Sequence, residues 1–186
     1  MKKYFWLLIP LAISSCFSKK NTVNNIYSEK IGKATESNCG NTMGGWIQLT
    51  HKNLSPKNPV QKLPEKYTAY TIDDTKLEAF MLQLSKAKQK KIALPTNTGC
   101  REYTLIPSET MSPELAAKFP ELQSYQGQGI LEKEETLRLD YDGTNLRANI
   151  TNESGIFFLD PFETNEGKIY LLFNKNDSGL PKGRYE

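Results

Sequence analysis

The residues in this 186-residue chain whose types suit chemistry are one histidine, three cysteines and a few acidic clusters. His51 stands alone, so a HExxH zinc site and any centre with two histidine ligands are ruled out. It follows a predicted strand beside Lys52 and reads as an exposed structural residue. Asp140-x-Asp142-Gly143-x-Asn145 has the opening spacing of a calcium loop. Such a loop needs about six oxygens, including a distant bidentate carboxylate. None follows at that spacing, so a hairpin turn is the preferred reading. Asp160-Pro161 follows an apolar run and could place an acid at a strand end, but an Asp there more often caps a turn. Glu132, Glu134 and Glu135 read as solvated. No G-x-S-x-G, Walker A or G-x-G-x-x-G segment is present. No nucleophile, base and orienting group are marked out together, so the expectation is no enzyme, no metal and no cofactor.

The cysteines carry the clearer chemistry. Lys2-Lys3 followed by the ten-residue apolar stretch from Tyr4 to Ile13 is too short to span a bilayer and reads as a signal-peptide core. Ser14-Ser15 then lead to Cys16, which resembles a bacterial lipobox. The resemblance implies a diacylglycerol on the Cys16 thiol, cleavage before Cys16 and acylation of the new amine. Each buried methylene contributes about 0.8 kcal/mol, so several acyl chains make a durable membrane anchor. Phe17-Ser18-Lys19-Lys20 lacks the acidic residues that often follow the cysteine of surface-exported lipoproteins in Bacteroidetes-type bacteria. That favours the periplasmic side of the envelope. Cys39 and Cys100 remain, and two cysteines in an oxidising compartment suggest a disulfide. Free structural thiols and a functional thiolate are the alternatives.

The elements that position these groups follow from pattern. Residues 1–15 read as signal peptide, 16–44 as a lipid-anchored polar tether, 45–177 as the folded domain and 178–186 as a flexible tail. Trp46 to Thr50 and Tyr67 to Ile72 have the composition of strands. The intervening segment holds Pro56, Pro59 and Pro64 and forms no regular element. Leu77, Phe80, Met81 and Leu84 recur at helical spacing after the capping residues Asp73, Asp74 and Thr75. The lysines from Lys86 to Lys91 suit that helix's C-terminal dipole better than a polyanion site. Ser112-Pro113-Glu114 starts a short helix that Pro120 ends. Met111, Leu115 and Phe119 would share its apolar face and dock it on the sheet. Glu114 and Lys118 would then point outward as candidate partner contacts. Residues 136–141 and 145–151 alternate about Asp142-Gly143-Thr144 as a hairpin. Ile156 to Leu159 and Ile169 to Phe173 are apolar on both faces and should be central strands. The fold class expected is α+β: a largely antiparallel sheet of seven or eight strands, one amphipathic helix and one short helix.

Lys+Arg total 24 and Asp+Glu 21, for a net charge of +3. Loss of Lys2 and Lys3 with the signal peptide lowers it to +1. That balance supplies no clustered excess of cations and predicts no nucleic-acid partner.

From Trp46 to Asp177 the chain resembles the N-terminal pro-domain of secreted reprolysin-like (metzincin) zinc metalloproteases of Bacteroidetes-type bacteria. The stretch from Met111 to Gly127 is similar to the family's Met-x-Pro-Glu-Leu, Pro-Glu-Ile and Tyr-x-Gly signature. Ile92-Ala93-Leu94-Pro95, Gly99 and Tyr103 precede it in the family's order, and Gly143, Gly155, Asp160-Pro161-Phe162 and Tyr170 follow it. No HExxHxxGxxH segment is present, so the resemblance implies a stand-alone, lipid-anchored module without protease activity. Family pro-domains assist folding and hold the protease latent. The function this implies is partner binding, with a secreted zinc metalloprotease as candidate partner; a general envelope assembly module is the alternative, and a hydrolase using Asp160 or His51 a third. Cys100 matches no family position, so no cysteine switch is carried over.

Overall fold

A computed structural model describes residues 34–39, 45–50, 54–109 and 112–179. Cys16, His51, Met111, the signal peptide and most of the tether and tail lie outside the described residues. Ten strands form one antiparallel sheet: β1 (Ala34–Cys39), β2 (Trp46–Leu49), β3 (Thr68–Thr71), β4 (Lys90–Thr96), β5 (Gly99–Pro107), β6 (Gln123–Gly129), β7 (Thr136–Tyr141), β8 (Leu146–Asn152), β9 (Gly155–Thr164) and β10 (Gly167–Asn174). Helix α1 (Asp74–Lys86) joins β3 to β4, and α2 (Pro113–Lys118) joins β5 to β6. The order across the sheet is β1-β2-β3-β10-β9-β8-β7-β6-β5-β4. The chain therefore meanders from β4 to β10 and returns to pair with β3. The curl brings β1 alongside β4 and β5. The mostly antiparallel architecture agrees with expectation. The strand count exceeds it, and β1 lies inside the segment assigned to the tether.

Helix α1 crosses one mouth of the curled sheet, because β3 ends and β4 begins at that same end. Asp73 Oδ1 accepts from Lys76 N at 3.0 Å and so caps the helix, one of the three residues expected to do so. At the other end Lys90 Nζ donates to the carbonyls of Ser85 and Ala87, at 3.1 and 2.6 Å. This lysine serves the helix terminus, as the dipole reading expects. Leu77, Met81 and Leu84 enter the concave core with Trp46, Tyr103, Tyr125, Leu139, Ile150, Leu159 and Tyr170. Trp46 and Tyr170 meet edge-on, with ring centroids 5.1 Å apart. Large side chains thus fill the interior.

The convex face is half covered. Leu54 and Leu63, from the proline-rich segment after β2, pack with Leu49, Ala69, Phe162, Ile169 and Leu171 in a second cluster. Lys57 N donates to Glu163 O and Glu65 N to Asp177 O, which pins the segment in place. This cover explains why Ile169, Tyr170, Leu171 and Leu172 are all buried, as a central strand apolar on both faces requires. Asp160 and Pro161 lie within β9 and form no turn. Proline is tolerated there because the β8 ladder ends at Ala148–Leu159, leaving Pro161 opposite only Tyr170 of β10.

Candidate functional site

The Cys39–Cys100 disulfide joins β1 to β5 across 61 residues, with Cα atoms 5.0 Å apart. Closing such a loop removes unfolded-chain entropy equivalent to roughly 4 kcal/mol. β1 otherwise pairs only with β2, so the bond fastens an edge strand that the ladder alone holds on one side.

At the end of the sheet away from α1 lies a buried polar cluster that the sequence reading missed. Glu135 was expected in solvent but is 3% exposed. Its carboxylate accepts from Tyr103 Oη at 2.5 Å and from Asn152 Nδ2 at 2.9 Å. Asn152 Nδ2 also reaches Asn97 Oδ1 at 3.1 Å. The backbone explains the burial: Gly129 N donates to Glu135 O and Glu135 N to Glu132 O, folding the 130–135 loop inward. A Cβ at Gly129 would lie 2.3 Å from Glu132 O, so only glycine permits this approach. Burial, then the hydrogen bond and charge of Glu135, push the Tyr103 phenol far above its ordinary range. The Tyr103 hydroxyl and both Glu135 oxygens are hydrogen-bonded, so the cluster ties β5 and β8 to the loop that leads into β7.

The more exposed candidate lies at the α1 end, around α2. Ser112 Oγ accepts from Leu115 N at 3.3 Å and Pro113 opens the helix, as the sequence predicts. The packing does not follow the prediction. Leu115 is 45% exposed, so it does not dock α2 on the sheet. The helix is only six residues long and runs into a turn at 119–122, with Leu122 N bonded to Phe119 O. Glu114 and Lys118 are exposed, with Lys118 Nζ 5.5 Å from the Phe119 ring centre. Ile106 and Leu122, flanking the same connection, are 60% and 37% exposed.

Beside Leu122 opens a groove of about 200 Å³, lined also by Gln123, Ser124, Asp140, Tyr141, Asp142, Asn145 and Arg147. Ser124 Oγ donates to Asp140 Oδ1 at 2.6 Å, and Arg138 Nε pairs with Asp140 Oδ2 at 3.2 Å. Asp142 forms the turn as anticipated, accepting from the Thr144 and Asn145 amides and from Asn145 Nδ2. Partial burial alone would raise the Asp142 pKa, but these hydrogen bonds and Arg147 outweigh it and hold the carboxyl below its usual range. Lys168 fixes the turn's position by bonding both Thr144 O and the Asp74 carboxylate, at 2.8 and 2.7 Å. Asp160 lies on the same convex face. Desolvation raises its pKa, and the nearby Arg147 opposes the rise.

Glu114 and Lys118 thus share the α2 region with the groove, whereas Glu135 lies at the far end of the sheet. Among the described residues no cluster of three metal-ligating side chains occurs, and no helix is long and apolar enough to cross a membrane. No protein-family profile, curated protein or solved structure matches the chain.

Proposed function

We propose that this chain is a non-enzymatic envelope lipoprotein, anchored through Cys16 on the periplasmic side, that binds a protein partner through α2 and its flanks. The observation that carries the reading is the exposure of Leu115. An apolar residue in the signature stretch is left in solvent, and Ile106 and Leu122 on the same connection are exposed with it. Grouped exposed apolar side chains mark interaction surfaces, whereas isolated ones carry no such meaning. The pro-domain resemblance of residues 46–177 points to a secreted zinc metalloprotease as partner, held latent or assisted in folding.

The test is capture of secreted zinc metalloproteases from the producing cell on the immobilised full chain, with peptidase activity measured before and after addition of the chain. Specific capture with altered activity supports the reading. Absence of any captured metalloprotease removes the protease link and leaves a general envelope assembly module.

A further inference from the structure

The groove beside Leu122 indicates what such a partner offers. We propose that it receives a basic side chain, lysine or arginine, from a partner protein segment whose neighbouring apolar residue rests on α2. This rests on the protein-binding reading above.

Charge selects the occupant. Asp140 and Asp142 line the groove, and Asp160 lies in the same field. Glu121 stands at the rim, where its Cβ lies within 3.3 Å of the space a side chain on Gly143 would fill. Against these four carboxylates stand three cations, Arg138, Arg147 and Lys168, the last held by Thr144 O and the Asp74 carboxylate. Arg138 is engaged with Asp140, and Arg147 already faces Asp142 and Asp160. An acidic side chain entering here meets a majority of carboxylates, while an ammonium or guanidinium meets the complementary field. Leu122 supplies the apolar wall against which the methylene stem of lysine or arginine packs, its charged head staying at the wet rim. The groove's volume suits one side chain. Its floor is preorganised, because the Asp142 turn and the Ser124–Asp140 bond fix the lining without an occupant.

The test uses fluorescence anisotropy of dye-labelled acetyl-Leu-Ala-Arg-amide with the full chain, against matched peptides carrying glutamate or citrulline in place of arginine. The arginine peptide should bind and the other two should not, with binding that weakens as salt rises. Glu121→Lys should weaken it about fivefold or more. Glu134→Lys, the same charge change at the other end of the sheet, should have no effect. Equal binding of the glutamate peptide, or equal loss in both variants, would overturn the groove assignment. Failure of the arginine peptide to bind while metalloprotease capture succeeds would overturn the groove and leave the partner reading standing. Binding of the peptide without capture would leave the groove and remove the protease.

Discussion

Tyr103→Phe tests whether the buried cluster around Glu135 holds the fold together. The substitution keeps the ring, which is 0% exposed, and removes only the hydroxyl that donates to Glu135 Oε1. Glu135 is 3% exposed, so water cannot replace the lost donor without opening the 130–135 loop. Asn152 still serves the other oxygen. A buried carboxylate deprived of one hydrogen bond costs about 1.5–3 kcal/mol. The folded unit runs from β1 through the single 3₁₀ turn at Lys175–Asp177. At about 2.1 cal/mol/K per residue its unfolding entropy is about 0.3 kcal/mol/K, so the melting temperature should fall by about 5–10 °C. Circular dichroism melts and urea titrations read this directly. A double-mutant cycle with Glu135→Gln should show that the two side chains are coupled. A Tyr103→Phe protein melting within about 2 °C of the parent would refute the idea that this bond anchors the loop.

Gly127→Ala places a Cβ 2.8 Å from Leu105 Cδ2 and 3.0 Å from Leu137 Cβ in the packed interior, and overpacking of that kind should destabilise by about 1–3 kcal/mol in denaturant titrations. Cys39→Ser with Cys100→Ser should lower stability by roughly 4 kcal/mol in the chain-entropy account, and hydrogen exchange should rise first in β1, the strand the bond fastens. Asp142 has a depressed pKa in the folded state, so its contribution is full above the unfolded pKa and is lost as pH falls through the folded one; Asp142→Asn should flatten the acid limb of the stability–pH curve.

Patterns that depend on a period were legible in the sequence. Leu77, Met81 and Leu84 repeat at helical spacing and all three are buried, and the Ile169 to Phe173 run announces a strand covered on both faces. The pairing of Cys39 with Cys100 followed from a count of two once Cys16 is assigned to a lipobox-like site. What was not legible depends on long-range backbone geometry. β1, Ala-Thr-Glu-Ser-Asn-Cys, has no apolar alternation, and its place is set by the ladder to β2 and the disulfide. Glu135 looks like one more solvated acid until Gly129 lets the loop approach and Tyr103, 32 residues away, supplies a donor. Leu115 failed for a related reason: spacing on a helix of under two turns does not say which surface, if any, lies beneath it. The groove is assembled from three strands and two connections, and no local motif announces it.

The central claim is that the apolar surface of α2 serves a partner and not the core. The most direct measurement is a paired one on Leu115→Ala in the full chain: thermal stability, and capture of the proposed metalloprotease partner. At 45% exposure the side chain contributes little to folding, so the account predicts a melting temperature close to that of the parent together with weakened capture. A loss of about 2–5 kcal/mol, the cost of truncating a buried leucine, or capture equal to that of the parent, would contradict it.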